Sequence, residues 1–295
     1  APSGGSSVVT TDEGNIPGMG SQHETSATQP FGAATDGSFK MELHGADATV
    51  SIGGTELKVE NGKLYHNGVE VTADAAVSVP GGAHGTLTVT GMDADGTVHY
   101  TYTLTAPVDA TGNASNRPGE GDAGRGEAVR ADAFDVSITT TGGTATGQIT
   151  VDALDDAPVL STLDTTQTTV ADGEAALTGT LSFTPGADAE GAQVTVEVEG
   201  QTFTGTKGEN GWTFTGGSDG SSFQLNGTAF TYTRPSSNTT DGRNDTIILK
   251  VTVTDGDGDI AQQSVTVNTV AGPLFEGAPS GGSSVVTTDE GNIPG

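Results

Sequence analysis

The residues of this chain best able to do chemistry are carboxylates. Asp255, Asp257 and Asp259 alternate with glycine in the run DGDGD. A second run, DALDD, places Asp152, Asp155 and Asp156 just ahead of Ala-Pro, and Asp188 and Glu190 form a third group in GADAEGA. Carboxylates brought close together cannot all stay ionised without a cation. Hard oxygen ligands in a flexible loop suit Ca2+, which takes about 6–8 oxygens. The alternating glycines would let successive acids and backbone carbonyls turn toward one point. Taken alone, DGDGD is explained equally well as a hairpin turn, where Asp-Gly is favoured.

Positioning of these acids falls to a chain that reads as all-β. Short alternating runs recur between turn signals: Ser38–Leu43, Thr86–Thr90, Val98–Leu104, Phe134–Thr139 and Gln148–Val151. A second series follows at Leu177–Phe183, Gln193–Val198, Trp212–Phe214, Ala229–Tyr232, Ile247–Thr254 and Gln263–Val267. Thr and Val dominate these runs, Gly and Asp separate them, and none has a helical period. The segments Phe134–Pro158 and Leu249–Pro273 share one plan of strand, tight turn, strand and Pro-terminated linker. Two related antiparallel β-sandwiches are therefore expected. Residues 1–37 read as a connector with a candidate first strand at Ser6–Thr11. Residues 38–157 form the first sandwich, with a long excursion at 106–131. Residues 158–270 form the second, and 271–295 a connector and the start of a further repeat.

In such a sandwich the loops between the second and third strands and between the last two strands lie at the end where the chain enters. DALDD is that entrance to the second sandwich. Asp188 and Glu190 fall in its first such loop and DGDGD in its second, so eight carboxylates should crowd one pole, at the junction with the first sandwich. The first sandwich has TTTGGT where the second has DGDGD, and the linker GPLFEGAP lacks the paired Asp of DALDDAP. Loop acids and linker acids are thus present together or absent together, which a shared ion explains and solubility does not.

The 18 residues Ala1–Gly18 recur unchanged as Ala278–Gly295, a period of 277 residues. Fixed-period self-similarity marks a repeat architecture, here one full repeat and the start of the next. Hydrophobic residues make up 32% of the chain and aromatics 5%, enough for small sandwich cores and too little for one large core. A net charge of −28, from 38 acids against 10 bases, disfavours nucleic acid and anionic membranes as partners. With no cysteine, disulfides, thiolate zinc sites and cysteine nucleophiles are excluded. No apolar stretch is long enough for a transmembrane helix.

The run ITVDALDDAPVL resembles a cadherin-type linker, and GADAEGAQVTV resembles the acidic loop of the same family. YTYTL and VTVTDGDGDIAQQSVTV resemble VCBS and related Ig-like repeats of large RTX-type bacterial surface adhesins exported by type I secretion. That resemblance implies tandem Ig-like or cadherin-like domains outside the cell, Ca2+ at their junctions, and a role as stalk, adhesive or biofilm-matrix region. It carries the ligand role to Asp152, Asp155, Asp156, Asp188 and Glu190, and adds Glu174. Neighbouring repeats of the same polypeptide are the implied partners. The junction before the first sandwich departs from the pattern, lacking the acids and carrying a long connector.

Other signals point elsewhere. GEGDAG, at Gly119–Gly124, matches a dinucleotide fingerprint but follows no strand and opens no helix. DGDGD opens like an EF-hand loop, but Ile260 stands where Gly is required and Thr266 where Glu is. The five histidines share no metal spacing, and no catalytic set is assembled, so no enzyme is expected. A carbohydrate- or ligand-binding module is the alternative, with Trp212 or the excursion as its site. A further alternative is a fibre built head to tail, with the second copy of Ser6–Thr11 donated as a strand to another molecule.

Overall fold

The computed structural model describes residues 1–20, 32–108, 125–171, 176–209, 211–234 and 246–270. Glu174, most of the 106–131 excursion and the second copy of the 18-residue segment lie outside the described residues. The first half contains β1 (Ser3–Gly4), β2 (Ser7–Asp12), a single 3-10 turn (Glu13–Asn15), β3 (Ala34–Glu42), β4 (Ala48–Ile52), β5 (Thr55–Glu60), β6 (Lys63–His66), β7 (Val69–Glu70), β8 (Val77–Val79), β9 (Gly85–Met92), β10 (Thr97–Leu104), β11 (Arg125–Thr140) and β12 (Gly143–Asp156). The second half contains β13 (Val159–Thr165), β14 (Thr169–Ala171), β15 (Ala176–Thr184), β16 (Gln193–Val198), β17 (Gln201–Gly208), β18 (Gly211–Gly216), β19 (Ser222–Asn226), β20 (Ala229–Thr233), β21 (Thr246–Thr254) and β22 (Ile260–Val270).

Alternation makes these strands. In β10, Val98, Tyr100, Tyr102 and Leu104 are buried while the intervening His and Thr are not. In β21, Ile247, Leu249, Val251 and Val253 do the same. The two-residue period puts each set on one sheet face, and full burial of such a side chain stabilises by about 1.5–3 kcal/mol. Each half encloses its own core. One gathers Phe39, Leu57, Leu87, Tyr102 and Phe134; the other gathers Leu177, Phe203, Phe223, Phe230 and Tyr232.

The halves repeat one topology. In the first, a sheet β1-β3-β10-β9-β8 faces β2-β12-β11-β4-β5-β6-β7; in the second, β13-β15-β20-β19 faces β14-β22-β21-β16-β17-β18. In both, the opening strand crosses from one sheet to the other. β1 pairs antiparallel with β3, then β2 runs parallel to β12; β13 and β14 do the same against β15 and β22. The chain is therefore all-β, two tandem Ig-like sandwiches.

Two boundaries differ from the sequence reading. Of the described part of residues 1–37, the candidate first strand Ser6–Thr11 coincides with β2 to within a residue, Ser3–Gly4 adds β1, and β3 already starts at Ala34. Gly4 and Gly5, at φ 101° and 102°, make the crossing between sheets that turns a Ser/Gly-rich stretch into two strands. At the end of the 106–131 segment, β11 begins at Arg125.

Candidate metal centre at the junction

Asp156 ends β12 and Val159 starts β13, so Ala157 and Pro158 alone link the sandwiches. Strand parity decides what the linker acids face. Asp155 shares the inward side of β12 with Ile149, Val151 and Ala153 and is 1% exposed. Asp152 has the other parity, is less deeply buried, and forms an ion pair with Arg130 across the ladder (Nε–Oδ1 2.6 Å). Asp156 is buried too, where its Oδ2 accepts the Ala187 N–H at 2.9 Å. It thereby pins the loop of the second sandwich that carries Asp188.

The first sandwich supplies one more acid from its opening segment. The parallel register carries β2 down β12 until Asp12 stands opposite Leu154. Asp12 then caps the 3-10 turn, its Oδ1 accepting from Gly14 N–H at 3.0 Å. The next residue, Glu13, is fully buried. Its Oε1 accepts the Val108 N–H at 2.5 Å, and the Asp156 N–H adds a second bond. Glu13, Asp155 and Asp188 each place a carboxylate oxygen within 4.8 Å of the others. Glu13 and Asp155 come from one sandwich and Asp188 from the next.

The DGDGD loop lies against this group. Asp255 Oδ1 accepts from Gly258 and Asp259 N–H at 3.0 and 2.7 Å, which curls the loop. Asp255, Asp257 and Asp259 then form a second set of oxygens within 4.8 Å of one another. The Gly256 N–H donates to Asp188 O at 2.7 Å, docking one loop on the other. A Cβ at Gly256 would fall 2.2 Å from Glu190 O, so glycine alone allows the approach.

The electrostatics are those of a site with too much negative charge. Burial, then the charges of Asp188 and Asp155, push Glu13 up to about 9. Burial, then Asp257, Asp259, Asp188 and Asp156, push Asp155 up to about 8. Burial and the adjacent Asp257 carboxyl push Asp255 up to about 9. Glu13 Oε2 and both oxygens of Asp155 are buried with no hydrogen-bond partner. Buried carboxylate oxygens normally find donors. Clustered hard oxygens with unmet ligand capacity fit a divalent cation such as Ca2+.

Of the acids read from sequence, the fold thus gathers Asp155 with Asp188, and Asp255 with Asp257 and Asp259. It uses Asp156 as a loop anchor and leaves Asp152 to Arg130. Glu190 is exposed and contributes its backbone; Glu174 lies outside the described residues. Glu13 was missed, although it stands two residues beyond the candidate strand Ser6–Thr11. Trp212 is not a bare platform: it packs edge-on against Phe183 with ring centroids 5.2 Å apart. Phe214 packs on Phe223 in the core.

No protein-family model matches this sequence, and no curated protein is found to match it. Among solved structures, it is similar to titin domains Z1Z2 in complex with telethonin, with 11% identity, TM-score 0.41, and 92% of this chain and 96% of that one covered. It is also similar to another titin Ig tandem, with 11% identity, TM-score 0.25 and coverages of 91% and 95%. A third is Drosophila OTK extracellular domains 3–5, with 9% identity, TM-score 0.24 and coverages of 90% and 58%. At such values the assignment to tandem Ig-like sandwiches rests on the sheet order and strand crossing described above.

Proposed function

We propose that this chain is a structural repeat of a secreted bacterial cell-surface protein, an extender or adhesion segment whose two sandwiches are fixed relative to each other by Ca2+. The observation that carries this reading is the junction cluster, where Glu13 and Asp155 of one sandwich meet Asp188 of the other, and where Glu13 Oε2 and both Asp155 oxygens are buried without a hydrogen-bond partner. A cation held by these residues would cancel their repulsion and tie the two bodies across the short Ala157–Pro158 link. The DGDGD acids would hold a further ion or complete the same shell. Extracellular sites of this kind bind at about 10⁻⁴–10⁻³ M, which suits fluids outside the cell. Neighbouring repeats are the natural partners, and no chemical step is assigned to the chain. Small-angle scattering with Ca2+ and with chelator tests the reading. An envelope that is extended and stiff with Ca2+ and broadens with chelator supports it; one envelope under both conditions overturns it.

A further inference from the structure

The acids at the junction fall into two sets. Oxygens that share one Ca2+ stand about 2.3–2.6 Å from it, so they lie within about 5 Å of one another. Glu13, Asp155 and Asp188 meet that limit among themselves, and so do Asp255, Asp257 and Asp259. The second set comes from one loop of one sandwich, between β21 and β22. Its backbone is closed by the Asp255 N–H, which donates to Asp259 O at 3.1 Å. Gly258, at φ 111°, makes a turn that favours glycine. Asp255 is 4% exposed. Its Oδ1 accepts from the loop's own N–H groups, yet its Oδ2 is buried with no hydrogen-bond partner, as is Asp257 Oδ1. Buried carboxylate oxygens set among other carboxylates, with no donor to them, are what a bound cation relieves.

We propose that Asp255, Asp257 and Asp259 hold a divalent cation of their own, inside the second sandwich, separate from the ion at the joint and favouring its binding. The favouring rests on the reading of the junction as a cation joint; the loop ion itself does not. With Asp156 added, the two sets bring seven carboxylates together. One divalent cation cancels two of those charges, so a second is still attracted. The loops are also joined. The Gly256 N–H donates to Asp188 O at 2.7 Å, so an ion that fixes DGDGD also fixes the chain that carries Asp188. Asp155 feels the charges of Asp257 and Asp259 more strongly than that of Asp188. Neutralising the loop acids therefore lets Asp155 stay ionised as a ligand at the joint. Such coupling is reciprocal, and either ion favours the other. Because its three acids lie on one loop, the loop site does not wait for the sandwiches to align, whereas the joint site does.

Equilibrium dialysis of the full chain against Ca2+, with bound metal counted by mass spectrometry, tests it. Wild type should bind two ions at saturation. Asp255→Asn/Asp257→Asn, which keeps an Oδ1 acceptor for the loop N–H groups, should bind one, and so should Glu13→Gln/Asp188→Asn. Should the double change disturb the loop, Asp257→Asn alone should weaken one ion by about tenfold or more. A single wild-type ion that both double variants abolish means one shared shell and overturns the proposal. A loop variant that keeps the full wild-type count overturns it too. A single wild-type ion that the loop variant loses and Glu13→Gln/Asp188→Asn keeps upholds the loop ion and removes the ion at the joint.

Discussion

Asp152 and Asp155 lie in one five-residue run yet meet opposite fates, because an odd step along a strand changes the face. Asp155 is turned into the junction and Asp152 toward Arg130. Asp155→Asn should therefore lower Ca2+ affinity by about tenfold or more, whereas Asp152→Asn should leave it unchanged in the same titration. Acidity supplies a second test at this scale. Glu13, Asp155 and Asp255 have folded values raised from 4.5, 3.8 and 3.8 to about 9, 8 and 9. Without metal, the folded state then keeps protons that the unfolded state releases. The stability linked to these groups is complete below about pH 4 and is lost as pH rises through 8 to 9. The melting temperature in chelator should fall across that window, and saturating Ca2+ should flatten the fall. A melting temperature in chelator that holds steady or climbs from pH 4 to 9 would contradict the raised values.

Among the elements, two loops, the end of β12 and the 3-10 turn after β2 make the site, and their legibility in the sequence differs. The DGDGD and GADAEGA loops were readable because turn residues and acids coincide between clear Thr/Val strands. Glu13 was not, because only the parallel pairing of β2 with β12 brings it in; Thr11 touches the carbonyl of a residue 141 positions away. The strands β4 to β8 also escaped notice, since runs such as TELKVE and KLYH mix charges into their exposed positions. Loop docking should fail in Gly256→Ala, whose methyl would collide with Glu190 O, with weaker Ca2+ binding and a lower melting temperature. A separate device braces the first sandwich. At a register shift in β11, the Asp132 carboxylate accepts from the Ala83, His84 and Gly85 N–H groups and from Tyr102 Oη. Asp132→Ala should cost about 3 kcal/mol in denaturant unfolding and leave Ca2+ affinity intact, which separates a structural carboxylate from a junction one.

At the scale of the whole molecule, the two sandwiches share a topology but not an ending. Counting back from Pro158 and Pro273, the position of Asp155 is held by Val270, and the parallel strand that brings Asp12 and Glu13 carries Val170 and Ala171 instead. Acids sit at the end of the first sandwich and apolar residues at the equivalent end of the second. Under the proposed reading, the acids needed to hold a cation are present at the first of these ends and absent at the second. A single ion shared across the first joint, as proposed, is tested most directly by calorimetric titration of Ca2+ into the full chain, with wild type compared with Glu13→Gln and with Asp188→Asn. Each substitution removes one charge from a different sandwich, so each should weaken the same binding event. Heats that match wild type in either variant would contradict a shared ion.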